Sequence, residues 1–308
     1  MILKGTGHVG LSNSLVDLLD TVMFPLRYPY YANPGALPRP IPTLAEIERS
    51  EELLYEAGGS KVVGVGPYVI KFGPQVNLAE GENMVFVAHT TSVPVPFVYA
   101  LFRDRDDKGY IIMERITANT LKSEWPSLSD IQKEAIATKL RSLLKELRSL
   151  PSPGGYCSLG NRPLLDHVFW TGSACERFYG PFLTEDEFNE AMLETYVFNN
   201  GSKNKAEFYK QTFPSIFRDH PPVFTHGDFQ RKNILLRSVG VTEHDVELIF
   251  LDWEFAGWYP TYWEYSKAVF SYGLWDDDWG LWLNRIFEPD LYLNEWVWMQ
   301  MLFLELWS

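Results

Sequence analysis

Two carboxylates and one carboxamide, each beside an apolar run, are the residues of this 308-residue sequence best suited to chemistry. The stretch Phe224-Thr225-His226-Gly227-Asp228-Phe229-Gln230-Arg231-Lys232-Asn233-Ile234-Leu235-Leu236 reads as a strand, a polar loop and a second strand. Nineteen residues after Asn233, the apolar run Leu248-Ile249-Phe250-Leu251 ends in Asp252-Trp253-Glu254. Asp228, Asn233 and Asp252 would offer hard oxygen ligands of the kind Mg²⁺ prefers. Magnesium takes few protein groups and completes its shell with water and phosphate oxygens, so the pattern points to phosphate chemistry. The plainer alternative is an Asn- and Asp-rich turn, which any one of these residues taken alone would suggest.

Such residues need a scaffold, and the hydrophobic periodicity supplies one. Residues 12–24 have the spacing of a short amphipathic helix, with Leu15, Leu18, Leu19 and Val22 on one face. Six prolines between Pro25 and Pro42 exclude regular helix or central strand and predict an extended arm on the surface or across a lobe. Thr43 and Glu46 form a capping box that would open a helix running to about Leu54. Short β-rich runs punctuated by glycines follow and read as an antiparallel meander: Leu53-Leu54-Tyr55-Glu56-Ala57 into the turn Gly58-Gly59-Ser60, then Lys61 to Val65, then Tyr68-Val69-Ile70-Lys71-Phe72. A helix over Leu78–Ala88 and strands over Phe97–Phe102 and Tyr110–Glu114 complete an order of three strands, helix, two strands. Beyond Ile116 the pattern is helical. Ile136, Leu140, Leu143, Leu144, Leu147 and Leu150 line one face of a helix that Ser129 and Gln132 can cap and Pro151 ends. Thr184 with Glu187 opens another helix through Val197. The expected fold is α+β, with an arm over 1–42, a small antiparallel-sheet lobe over 43–116 and a larger, mainly helical lobe over 117–308.

Composition narrows the partners. The chain carries 40 acidic against 27 basic residues, a net charge of −13, and its 46% hydrophobic content supports a sizeable core. Acidic balance argues against nucleic acid and anionic membranes, both of which need basic surface. No apolar run is long enough to span a bilayer, and Cys157 and Cys175 lack metal-ligand spacing, so a cytoplasmic protein is expected, its cysteines buried thiols with a single disulfide between them as the alternative. The acidity is concentrated: residues 250–308 hold ten acids against two bases, and nine of the eleven tryptophans.

The loop around Asp228 resembles the His-Gly-Asp-x-x-x-x-Asn segment of aminoglycoside phosphotransferases and related small-molecule kinases, which have the protein-kinase-like fold. Asp252-Trp253-Glu254 stands where protein kinases have Asp-Phe-Gly, and Trp258-Tyr259-Pro260 and Tyr262-Trp263-Glu264-Tyr265 have the style of fungal members. The resemblance implies that Asp228 is the catalytic aspartate, orienting a substrate hydroxyl toward the γ-phosphorus of ATP. It implies that Asn233 and Asp252 hold Mg²⁺, that His226 braces the loop and that Gly227 allows its tight turn. Lys71 matches the phosphate-gripping lysine of the third strand, with Glu80 as its helix partner and Glu82 as the second candidate. Gly59 and Ser60 occupy the position of a phosphate-covering turn, and the backbone of Glu114 and Ile116 that of the adenine-reading segment.

The acceptor is expected to be a small molecule bearing a hydroxyl. Glu254, Glu264 and Asp276 are candidates for attracting a cationic one, and Trp258, Trp275 and Trp279 for stacking on its rings. Against this, acids on a solvated face and tryptophans in a core are the commoner arrangement, and Asp276 to Asp278 suit a helix N-terminus. Two rival functions are a protein kinase, disfavoured by the absence of Ala-Pro-Glu after Asp252, and a catalytically silent nucleotide-binding scaffold.

Overall fold

The computed structural model describes residues 24–171, 178–273 and 275–306; the helix expected over 12–24, save its last residue Phe24, and Cys175 lie outside them. Gly58 and Gly59 both have positive φ, 56° and 79°, which suits a two-residue turn whose twist matches paired strands. That turn joins two of the six strands of the first lobe. These are β1 (Tyr30–Tyr31), β2 (Leu53–Ala57), β3 (Ser60–Val65), β4 (Tyr68–Gly73), β5 (Val98–Arg103) and β6 (Gly109–Glu114). They form one antiparallel sheet in the order β1-β5-β6-β4-β3-β2. Two helices accompany it, α1 (Leu44–Glu48) and α2 (Ala79–Thr90).

The capping box of Thr43 and Glu46 is present, but α1 ends at Glu48 rather than near Leu54. Residues Leu53 to Ala57 pair instead with β3, so ladder hydrogen bonds outcompete a short helix with few apolar contacts. The described part of the proline arm makes one 3-10 turn at Pro34–Ala36, and its Tyr30 and Tyr31 add a short edge strand opposite Leu101 and Ala100.

Alternation along β4 sorts its side chains. Tyr68, Ile70 and Phe72 pack with Ile47, Val63, Tyr99, Tyr110 and Ile112 on one face of the sheet. Val69 and Lys71 are therefore directed to the opposite face, toward α2 and the second lobe.

The second lobe contains β7 (Asn119–Thr120), α3 (Leu121–Glu124), α4 (Asp130–Arg148), α5 (Glu185–Phe198), α6 (Lys203–Thr212), β8 (Pro222–Thr225), β9 (Ile234–Ser238), β10 (Glu247–Phe250), β11 (Gly257–Pro260), α7 (Trp263–Tyr272), α8 (Trp279–Phe287) and α9 (Leu293–Leu306). The predicted capping boxes of Ser129 with Gln132 and Thr184 with Glu187 open α4 and α5. A buried apolar cluster runs from α2 through α4 to the strands around residues 224–250 and on to α8, joining the lobes. A second, rich in aromatic rings, fills the space between α5, α6, α7 and α9. Cys157 is buried and free. Among the described residues no helix is long and apolar enough to cross a membrane.

Candidate active site

Register brings the two polar segments together. Phe250 of β10 lies opposite Ile234 of β9, so Asn233 and Leu251 are neighbours at the strand ends, joined by the Leu251 N–H donating to the Asn233 carbonyl at 2.8 Å. Asp252 follows at φ 64°, a left-handed conformation that costs a non-glycine residue energy and is found at functional turns.

The loop after β8 is held from three sides. Nδ1 of His226 accepts the Asp228 N–H at 3.2 Å, and its Nε2 donates to the Leu251 carbonyl at 2.9 Å, so both ring nitrogens are spent on holding the loop. The Glu264 carboxylate, buried on α7, accepts the N–H groups of His226 and Gly227 at 2.6 and 3.1 Å. Burial raises the Glu264 carboxyl against the lowering effect of His226 and those amides. Gly227 has φ 83°, and a side chain there would meet the Phe255 carbonyl, so only glycine fits. Asp228, thus positioned, accepts Asn233 Nδ2 on Oδ2 at 2.7 Å and the Gln230 side-chain amide on Oδ1, with Lys232 Nζ 3.9 Å away.

Across the cleft, Lys71 Nζ stands 2.6 Å from Glu80 Oε2, 3.3 Å from Asp252 Oδ1 and 3.7 Å from Glu254 Oε2. Burial works against the ammonium charge, but the three carboxylates outweigh it and hold the lysine above its ordinary pKa. Burial also lifts Glu80 above the usual carboxylate range, as do Asp252 and Glu254 against the pull of Lys71. Glu80 is thus the lysine's partner, and Glu82 is not. One oxygen each from Glu80, Asp252 and Glu254 lies within 4.8 Å of the others, and Asn233 borders the same strand end. Hard carboxylate and carboxamide oxygens grouped in this way fit Mg²⁺.

Beside β4 an open groove of about 470 Å³ is lined by Leu54, Val69, Arg115, Ile116, Thr117, Ala118 and Asn119. The Ile116 N–H has no backbone partner among the described residues, whereas the Glu114 N–H donates to the Phe97 carbonyl at 2.8 Å. Gly59 and Ser60 lie at the exposed hairpin, where the Gly59 carbonyl covers Gly73 of β4 so closely that a side chain on Gly73 would overlap it. A larger groove, about 700 Å³ between α5 and α6, contains none of these residues.

The residues expected at the acceptor side separate. Trp258 and Trp279 are 4% and 2% exposed; the first packs on Phe86 and Phe224, the second on Trp125. Neither offers a face to a ligand, and Glu264 is likewise spent on the loop amides. Trp275 is 53% exposed and Asp276 is exposed, both on the segment before α8. Asp277 and Asp278 serve structure: Asp277 accepts the Trp279 N–H and pairs with Arg231, and Asp278 binds Trp125, Lys133 and Trp282. Of the acidic candidates, Glu254 stands beside Lys71. Gln230 and the pair His167 and Phe255, ring centroids 4.6 Å apart, join the site without having been singled out in sequence. Gln230 lies within the loop and could have been read there. His167 is 61 residues upstream of Asp228 with no motif to mark it. Burial lowers the His167 pKa, partly countered by Asp166 and, more weakly, Asp228.

Several solved structures share this architecture. One is aminoglycoside phosphotransferase APH(4)-Ia, with TM-score 0.52 and 17% identity over 82% of this chain and 81% of that one. A thermostable mutant of the same enzyme, in ternary complex with ADP and hygromycin B, gives TM-score 0.53 and 15% identity over 82% of each chain. The GDP and kanamycin complex of APH(2")-IIia gives TM-score 0.52 and 17% identity over 82% of each. At these identities the likeness is one of fold, the two-lobed kinase-like one. None of the curated protein sequences matches the chain. Residues 61–302, from β3 into α9, match the family described as "Phosphotransferase enzyme family", and a match over most of the chain makes this protein a member of it.

Proposed function

We propose that this protein transfers the γ-phosphoryl group of ATP to a hydroxyl group of a small molecule, with Mg²⁺ as cofactor. The observation that carries the reading is the meeting of Lys71 and Glu80 of the first lobe with Asp252 and Glu254 of the second around one point, near enough to Asp228 for its charge to act on Glu254. Lys71, fixed by Glu80, would hold the phosphates. Adenine suits the groove between Leu54, Val69 and Ile116, where the Ile116 N–H is available to its edge. Asp252 and Asn233 would hold the metal, which when bound neutralises charge on the phosphate oxygens.

Asp228 would accept the acceptor's hydroxyl proton as the new O–P bond forms and the bond from phosphorus to the β,γ-bridging oxygen breaks, releasing ADP. Asn233 and Gln230 hold that carboxylate in place. His167, Phe255 and Glu254 would border the acceptor, and the Glu254 carboxylate favours a guest with an amine. The related APH(4)-Ia and APH(2")-IIia structures hold hygromycin B and kanamycin, which supports a polyhydroxylated acceptor of that kind.

The test is a screen of hydroxyl-bearing compounds, amino sugars included, with ATP and Mg²⁺, read by mass spectrometry as a gain of one phosphate. A panel that yields ADP-coupled phosphorylation of one compound class is the expected result. Failure of ATP and GTP alike to stabilise the protein in a thermal-shift titration would overturn it.

A further inference from the structure

Within four residues, α2 sends polar side chains to three different parts of the molecule. Glu80 reaches Lys71 on β4, and Asn83 Nδ2 donates to the Trp253 carbonyl at 2.8 Å. Glu82 points the other way, since residues two apart on a helix lie about 200° apart around its axis. Its carboxylate is fully buried and filled by three donors: the Leu26 N–H at 2.5 Å, the Tyr28 hydroxyl at 3.0 Å and Arg162 Nη2 at 2.5 Å. A carboxylate withdrawn from water persists only when its oxygens are occupied in this way.

Those donors come from opposite ends of the architecture. Leu26 and Tyr28 belong to the proline arm that precedes the first lobe, and Arg162 to a bend of the second lobe that bridges back to Ser158. Apolar contacts follow the same line: Phe24 meets Phe86 of α2 edge to face at 5.3 Å, and Pro25 packs on Gly160. On the sheet side, Gly81 lies so close to Leu101 of β5 that any side chain would overlap it. Burial and the charge of Glu82 push the Tyr28 hydroxyl up to about 12, so it stays a donor near neutral pH.

We infer that Glu82 is a positioning residue through which the arm around Leu26–Tyr28 and Arg162 of the second lobe clamp α2, holding Glu80 against Lys71 and thereby setting nucleotide affinity. The nucleotide part of this inference rests on the proposed phosphotransfer function; the clamp on α2 does not. Among the described residues the charged partners of Lys71 are Glu80, Asp252 and Glu254, so the influence of Leu26, Tyr28 and Arg162 on the phosphate site passes through the helix.

The test uses the full chain with Tyr28→Phe, Arg162→Gln, the two combined, and Arg162→Lys. Hydrogen exchange of α2 amides without nucleotide and calorimetric titration with Mg·ATP are measured on each. The double variant should exchange in α2 roughly tenfold faster and bind Mg·ATP roughly tenfold more weakly, with α4 and α7 exchange unchanged. Arg162→Lys, which keeps the charge, should recover part of both effects. Unchanged α2 exchange, a rise spread equally over α4 and α7, or faster α2 exchange with full nucleotide affinity would each overturn the inference. If the wild-type chain binds no nucleotide, the phosphotransfer reading and the nucleotide coupling fail together, and the exchange data still decide the clamp.

Discussion

Asn233 donates its Nδ2 hydrogens to both the main-chain and the side-chain oxygen of Asp228, at 3.0 and 2.7 Å. The carboxamide proposed to face the metal is therefore also the group that turns the proposed catalytic carboxylate. Its Oδ1 accepts no hydrogen bond from the described residues, which leaves that oxygen for a cation. Four residues separate the two, and a short turn at Arg231–Asn233 folds one back on the other.

Replacing Asp228 by Ala should remove the proton acceptor while leaving Lys71, Glu80 and Asp252 as they are. Transfer to the identified acceptor should fall by roughly a thousandfold, in the range general-base removal produces. Mg·ATP affinity, read by calorimetry, should change by no more than about twofold. Full activity in this variant would assign the proton transfer elsewhere.

Asp252→Asn keeps the shape of the side chain, and asparagine tolerates the left-handed backbone at φ 64° as aspartate does. The lost charge should therefore act on the metal and on Lys71 rather than on folding. Wild-type protein should gain more thermal stability from ATP with Mg²⁺ than from ATP with a chelator. In the variant those two shifts should coincide.

Val69→Phe tests the nucleotide groove. Val69 lies next to Ile70 in sequence but faces the other side of the sheet and lines the groove with Leu54 and Ile116. A phenyl ring would occupy space needed by adenine without entering the packed face. ATP affinity should drop more than tenfold, an effect of overfilling a binding site, while the melting temperature without ligand stays within a few degrees. An unaltered affinity would move the base out of this groove.

What was legible in the sequence was local. The capping boxes at Ser129 and Thr184 work over three residues, and the helices they open are present. The β-rich run Leu53–Ala57 is the strand its residues suggest, and the helix expected to run from Thr43 to about Leu54 stops at Glu48 because that run finds a ladder partner across the hairpin. Glu80 is preferred over Glu82 in sequence only through the resemblance of its segment, and the physical reason, which side of α2 meets β4, lies in the fold. Trp258 and Trp275 differ little as residues, yet one fills the junction between lobes and the other is exposed. The role of Glu264 depends on amides 37 and 38 residues away, brought to it only by the packing of α7 beneath the loop.

The same distinction governs Asp278, which looked in sequence like one of three acids at a helix N-terminus. It stands at the start of α8 but caps no amide there; its carboxylate takes Trp125 Nε1, Lys133 Nζ and Trp282 Nε1, each at 2.8 Å. Burial raises its pKa, but the hydrogen bonds from Lys133, Trp125 and Trp282 outweigh that and bring it down from 3.8 to about 2. The folded state therefore binds this proton less readily than the unfolded chain does. Stabilisation by the charged form is present above pH 3.8 and is lost as pH falls through about 2. Asp278→Asn abolishes the titration and weakens the link to Lys133 at every pH. The urea midpoint of the wild type should exceed that of the variant at pH 6, and the gap should narrow on the way from pH 4 to pH 2. A gap that stays constant over that interval would mean the carboxylate contributes by shape and hydrogen bonding rather than by charge, and that Lys133 is held at this junction by its packing against Trp125.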